Sequence, residues 1–219
     1  VLRKKEIGET DRLYTLYTKE QGKVQVVGKG VRKPAAKLAG QLETLTRCFV
    51  IVEKARGTGN ITGAVAENYF ESIRANGTML RTVLGALSIL DHLVEVGEPD
   101  PELFDLTEHY LGLAEQLAKE HKRDKLPFLS QGFLFQMYAR LGYRIETSVC
   151  AISGERLVDD GKYFFSPSVG GIFSGVHTHS VPVALPIIEN AVKLVRLFLH
   201  HSLGTVIRVA ASDAVYRDV

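Results

Sequence analysis

"LTRCFVIVEKARGTGNITGAVA", Leu45 to Ala66, decides how the first third of the chain is read. Two runs rich in β-branched and aromatic residues flank Gly57-Thr58-Gly59-Asn60, which is the composition of two strands around a loop. Alternation from Leu45 sets Leu45, Arg47, Phe49 and Ile51 against Thr46, Cys48, Val50 and Val52, so both faces are apolar apart from the tip at Arg47. This predicts a largely buried strand, with Phe49 in the core. Leu13 to Thr18 and Val24 to Val27, separated by the turn at Gln21-Gly22, add two more short strands. So many short strands within about 75 residues point to a small closed β-barrel.

After Asn76-Gly77 the apolar period changes. Met79, Val83, Leu87, Leu90 and Val94 recur at helical spacing up to Gly97, and Asp100-Pro101 opens a second helix carrying Leu103, Leu106, Tyr110, Leu113 and Leu117. Pro127 starts a third, with Leu129, Phe133, Met137 and Leu141, ended by Gly142. A fourth runs from about Ile187 to His201 and stops at Gly204. These stripes predict an all-α bundle. Between the third and fourth helices, Thr147 to Pro182 is glycine-rich and irregular.

Composition narrows the partners. The 219 residues are 45% hydrophobic and carry a net charge of +2, enough to bury a core without cross-links. Residues 1 to 70 hold 13 Lys/Arg against 7 Asp/Glu, while residues 71 to 219 hold 14 against 18. Thr82 to Ala118 contains eight acids and no Lys or Arg. The first part therefore suits a polyanion and the second repels one. No apolar run is long enough to span a membrane, and two distant cysteines fit a reducing, cytoplasmic setting better than secretion.

Gly28-Lys29-Gly30-Val31-Arg32-Lys33 lacks the spacing and hydroxyl of a Walker loop and the third glycine of a dinucleotide fingerprint. What remains is a cationic loop. Lys29, Arg32, Lys33 and Lys37, with Arg12, Lys23, Arg47 and Arg56, are the candidate contacts to nucleic-acid phosphates. Tyr14 and Tyr17, on the same strands, are candidates to stack on unpaired bases. A second constellation, Cys150-x-x-Ser153 and Ser174-x-x-His177, has the spacing of a four-ligand zinc site with serine at two positions. His179, placed on the same strand face as His177, is a further candidate. Cys150, His177 and His179 are thus the metal candidates, but three ligands fall short of a structural site, and no cofactor is expected. The histidines form no recognised catalytic motif and neither cysteine has an evident base, so a non-enzymatic protein is expected.

"IGETDRLYTLYTKEQGKVQVVGKGVRKP" and the residues following it to Asn76 resemble the N-terminal module of the RecO family of recombination mediators. "FLFQMYARLGYRIETSVCAISGERL" and "FSPSVGGIFSGVH" are similar to its central region, and "LVRLFLHHSLG" to its final helix. The resemblance implies an α+β multidomain protein: an OB-fold barrel over 1–75, a helical bundle over 76–146, a degenerate zinc-ribbon-like insert over 147–182, and a helix and tail completing the bundle over 183–219. It further implies binding of single- and double-stranded DNA and strand annealing. With RecR it implies loading of RecA recombinase onto DNA coated by single-stranded-DNA-binding protein, in a bacterial cytoplasm near the nucleoid. Two departures stand out. Zinc-bearing members have four cysteines where this chain has Cys150, Ser153, Ser174 and His177, and the stretch from Val181 to Leu194 is shorter than in the family. The residues alone also admit an OB-fold RNA-binding protein, or a metal-dependent enzyme using Cys150, His177 and His179.

Overall fold

The computed structural model describes residues 1–34, 36, 38–53, 58–157 and 162–209. They form two compact units, Val1–Arg123 and Asp124–Val219.

The first unit is built on five strands: β1 (Arg3–Ile7), β2 (Asp11–Thr18), β3 (Gly22–Gly28), β4 (Arg47–Glu53) and β5 (Gly59–Asn68). Their order in the sheet is β1-β2-β3-β5-β4. All neighbours are antiparallel except β3 and β5, which run parallel through Val26 opposite Gly59 and Val27 opposite Asn60. Side-chain alternation gives β2, β3 and β5 one apolar face. Tyr14, Leu16, Val26 and Ile61 from that face meet Val31 and Leu42 in a buried cluster, the main gain from removing apolar surface from water. The closed barrel expected from the sequence is not drawn by strand ladders. Between the outer strands β1 and β4, the backbone joins at Val1, whose nitrogen donates to Thr46 O (2.8 Å) and whose oxygen accepts from Leu45 N (2.9 Å).

One face of β4 departs from its sequence reading. Cys48, Val50 and Val52 pack against the core as the alternation requires. Phe49 and Ile51, in contrast, are 69% and 58% exposed. Phe49 lies directly opposite Val65 of β5, also exposed, and Ile51 opposite Gly63. With both faces of the strand apolar, periodicity could not tell which face meets the core.

Three helices complete this unit: α1 (Glu71–Arg74), α2 (Gly77–Leu93) and α3 (Pro101–Lys119). Asn76 caps α2, its side-chain oxygen accepting from Thr78 N and Met79 N, and Asp100 caps α3 by accepting from Leu103 N, which satisfies amides that no helical carbonyl can reach. The short α1 is held from α3, because the buried Glu115 carboxylate accepts from Ser72 N and Ile73 N (both 3.1 Å). Burial alone would raise the Glu115 pKa, but the Ser72 and Ile73 hydrogen bonds outweigh it and hold the carboxyl below its usual range.

The sheet and α2 are tied at Lys23. This lysine is buried in β3; its Nζ donates to Asp91 O at 2.6 Å and lies 3.5 Å from Asp91 Oδ1. Arg3 of β1 reaches the other Asp91 oxygen at 2.7 Å. The backbone seals the same junction, since Gly97 N donates to Lys23 O at 2.8 Å. Gly22, at φ +63°, packs so closely on Glu98 that a Cβ would overlap its carbonyl. This packing explains why the first compact unit runs to Arg123, past the 75/76 division expected from the change of period. A change of period marks where strands give way to helices, but not which helices share the sheet's body.

The second unit contains α4 (Leu126–Arg140), α5 (Glu189–His200), the short α6 (Leu203–Val206), and a three-stranded antiparallel sheet, β6 (Tyr163–Ser166), β7 (Gly171–Ser174) and β8 (Leu185–Ile187), in the order β7-β6-β8. Phe128 and Phe198 meet edge to face at 4.9 Å, with Ala191, Leu194 and Val206 around them, a favoured geometry for paired rings. Gly132 lets α6 approach, a Cβ there standing 3.2 Å from Val206. Gly204 does not end the last helix. Chain direction changes at Ser202, whose hydroxyl caps Thr205 N, and Gly204 lies inside α6. Part of the segment read as irregular is therefore a small sheet. The four helical stripes are divided between the two units, each of which also contains β-structure.

Removing the Asp91 carboxylate leaves Lys23 charged and buried opposite nothing but a carbonyl. Asp91→Ala should lower unfolding free energy by about 3 kcal/mol, measured by urea denaturation followed by circular dichroism, whereas Lys23→Met, which leaves Arg3 on Asp91, should cost less.

Candidate nucleic-acid interface

The loop after β3 owes its shape to β2. Asp11, the first residue of that strand, accepts Gly30 N at 2.7 Å and the Thr10 hydroxyl at 3.0 Å. The Gly30 hydrogen bond is the main reason its carboxyl sits below the usual Asp range, helped by Thr10 and by the nearby Lys29 and Lys33. Gly30 itself is at φ +64°, a conformation that side chains resist. Arg32 N donates to Thr10 O (2.9 Å) and Lys33 N to Gly30 O (3.1 Å). Val31 points inward to the core. The loop is thus fixed at both its backbone and its one apolar side chain, and Lys29, Arg32 and Lys33 stand exposed from it.

Arg32 Nη1 donates to Glu9 O at 3.1 Å, and its Nη2 lies 3.2 Å from Glu6 Oε2. Arg12, opposite Glu6 in the β1–β2 register, places Nη2 at 3.7 Å from Glu6 Oε1. Four candidate cations, Arg12, Lys29, Arg32 and Lys33, therefore gather at one end of the sheet. Such a group can neutralise several phosphates of one strand.

The other candidates are placed differently. Lys23 is spent on Asp91 inside the unit and offers no charge to the surface. Arg47 lies between Glu67 (3.1 Å) and Glu108 (2.7 Å), so two carboxylates already compensate it. Lys37 and Arg56 lie outside the described residues. Tyr14 is wholly buried, and burial pushes its phenol up, against the neighbouring Arg12; it is a core residue and not a stacking platform. Tyr17 packs its ring 5.9 Å from Phe104 in a cleft of about 530 Å³ that Phe49, Phe70 and Leu111 also line. The aromatic that is well exposed on this sheet is Phe49. The sequence carried that signal in its two-faced apolar strand, without the means to choose the face.

The residues at the zinc-like spacing do not suit a metal. Among the described residues, no group of three or more His, Cys, Asp or Glu could hold one. Cys150 is buried. Burial favours its neutral thiol, but the Ser153 hydroxyl and the amides of Ser153, Ser174 and Ile152 hydrogen-bond the sulfur and bring its pKa below the ordinary thiol value. The turn around it is closed by Gly154 N donating to Cys150 O at 2.8 Å. His177 and His179 sit in a 3₁₀ turn, Gly175–Ser180, and not on one face of a strand. The Ser153 hydroxyl and the amides of Ser153, Ser174 and Ile152 serve the sulfur as hydrogen-bond donors, and serine does not supply the thiolate or imidazole that a structural zinc site takes. Among the described residues no helix is long and apolar enough to cross a membrane.

Two family models match the chain: Recombination protein O N terminal over residues 1–70 and Recombination protein O C terminal over 75–219. Among similar proteins, the DNA repair protein RecO of Desulfitobacterium hafniense is 32% identical over 173 residues, covering 78% of this chain and 60% of its own length. The protein of that name from Listeria monocytogenes is 30% identical over 200 residues (90% and 74%), and that of Bacillus mycoides 26% identical over 222 residues (100% and 85%). The chain thus spans 60% of the length of the Desulfitobacterium relative.

The Asp11 anchor has a direct signature. In Asp11→Ala the Gly30 amide should exchange with solvent at least tenfold faster by NMR, while Asp11→Asn, which keeps an acceptor oxygen, should leave its protection nearly unchanged.

Proposed function

Because the chain belongs to the Recombination protein O family, we propose that it is a DNA repair and recombination protein that binds DNA strands through the loop Gly28–Lys33. The observation that carries this reading is the set of exposed cations, Lys29, Arg32 and Lys33, on a loop pinned by Asp11. A preorganised loop gives up little conformational freedom on binding, so most of the attraction to phosphate is kept as affinity. Backbone contacts of this type do not read sequence. They leave base edges free, and that is what annealing requires.

The mediator role extends this reading. It comprises annealing of complementary strands, cooperation with RecR and with single-stranded-DNA-binding protein, and loading of RecA. The helices α2 and α3 support it by contrast of charge. Their acid-rich segment between Thr82 and Ala118 repels DNA and is suited to face protein. None of these steps demands a bond-making residue. A mediator works by holding strands and exchanging partners.

Reversing the three loop charges together, Lys29→Glu, Arg32→Glu and Lys33→Glu, should weaken binding of a labelled single-stranded oligonucleotide at least a hundredfold in low salt, measured by fluorescence anisotropy. It should also abolish annealing of complementary strands coated with single-stranded-DNA-binding protein. Unchanged affinity and annealing would contradict the reading.

A further inference from the structure

Among the described residues, Glu6 is the carboxylate that faces Arg12 and Arg32 together, at 3.7 and 3.2 Å. We propose that the two arginines form a clamp for a single phosphodiester group, and that in the free protein the Glu6 carboxylate fills it in the phosphate's stead. The proposal rests on the DNA-binding reading and names the subsite and its built-in competitor.

Three observations support it. First, the guanidiniums are positioned by the fold. Arg12 is fixed in the β1–β2 ladder and its side chain is 20% exposed, beside the Tyr14 hydroxyl. Arg32 is braced by the carbonyl of Glu9 and, at 3.5 Å, by that of Gly8. Second, Glu6 is the most exposed member of the three, its side chain 58% exposed on the outer strand β1. A carboxylate that open to water pairs weakly and is easily displaced. Third, the chemistry of the ligand matches. Guanidiniums take carboxylate and phosphate oxygens in the same planar, two-pronged manner, so an anion that satisfies one satisfies the other. Asp11, a second carboxylate at this end of the sheet, is committed to Gly30 N and Thr10 and faces Lys29 and Lys33. It positions the loop, whereas Glu6 competes for it.

The contact acts as a selectivity filter. A strand that supplies several phosphates to Lys29, Lys33 and the clamp at once displaces Glu6, while an isolated anion gains only what the carboxylate already supplies. Weak anions are thereby excluded at little cost to the affinity for a polymer.

Glu6→Gln tests this against Glu9→Gln, which removes the same charge from an exposed neighbour whose carboxylate, among the described residues, pairs with no cation. Oligonucleotide affinity for Glu6→Gln should rise about two- to fivefold, while its log–log salt slope should stay within about 0.7 of the wild type's, because the bound strand makes the same phosphate contacts in both. Glu9→Gln should change neither by more than the general loss of one negative charge allows, and adding Arg32→Gln should cancel the Glu6→Gln gain. Equal behaviour of the two glutamine variants, or a gain that survives Arg32→Gln, would overturn the clamp. Elution from heparin separates the clamp from the functional reading. If the oligonucleotide binds neither wild type nor variant, later heparin elution of Glu6→Gln alone supports the clamp while the DNA reading falls. Unshifted elution in that case overturns both.

Discussion

The Lys23–Asp91 pair is the constraint around which the first unit is organised. A lysine in a strand, buried with its ammonium on a carbonyl and carboxylate of α2, is unfavourable unless both partners are held in place. The surroundings hold them. Arg3 shares the carboxylate, Gly97 N closes on the Lys23 carbonyl, and Gly22 admits the Glu98 backbone where any side chain would collide. With the start of β3 locked in this way and its flanks paired to β2 and β5, the end of the strand delivers Gly28–Lys33 to a fixed position. The cationic loop is thus the far end of a lever whose near end is buried.

That arrangement divides the labour among cations that look alike in sequence. Lys23 builds the unit and Arg47 bridges acids on β5 and α3. Lys29, Arg32 and Lys33 are left to face outward, with Arg12 alongside. Carboxylates are divided in the same way: Asp11 shapes the loop, Glu6 sits between arginines, and Glu115 stitches α1 to α3.

Much of this was legible beforehand. The strands from Asp11 to Gly28, the capped starts of α2 and α3 and the cationic loop follow from turn chemistry, capping residues and period, which are local signals. What the sequence could not show depends on partners distant in the chain. The face of β4 was ambiguous because Phe49/Ile51 and Cys48/Val50/Val52 are both apolar sets, and only the packing of the folded unit buries one of them. Lys23 reads as one more basic residue until Asp91, 68 positions away, is brought beside it. Tyr14 reads as a stacking platform until Val31 and Leu42 close over the same face. The near-zinc spacing was visible, but the role of Ser153 as a hydrogen-bond donor to Cys150 required the folded turn.

The central claim is that a small set of preorganised cations holds a strand by its phosphates. The most direct measurement is the affinity of the protein for a single-stranded oligonucleotide as a function of salt. Engagement of three to four phosphates by Lys29, Lys33 and the two arginines predicts a linear fall of log affinity against log salt, with a slope of roughly −2 to −3. An affinity that does not change with salt, or no binding even at low ionic strength, would contradict it.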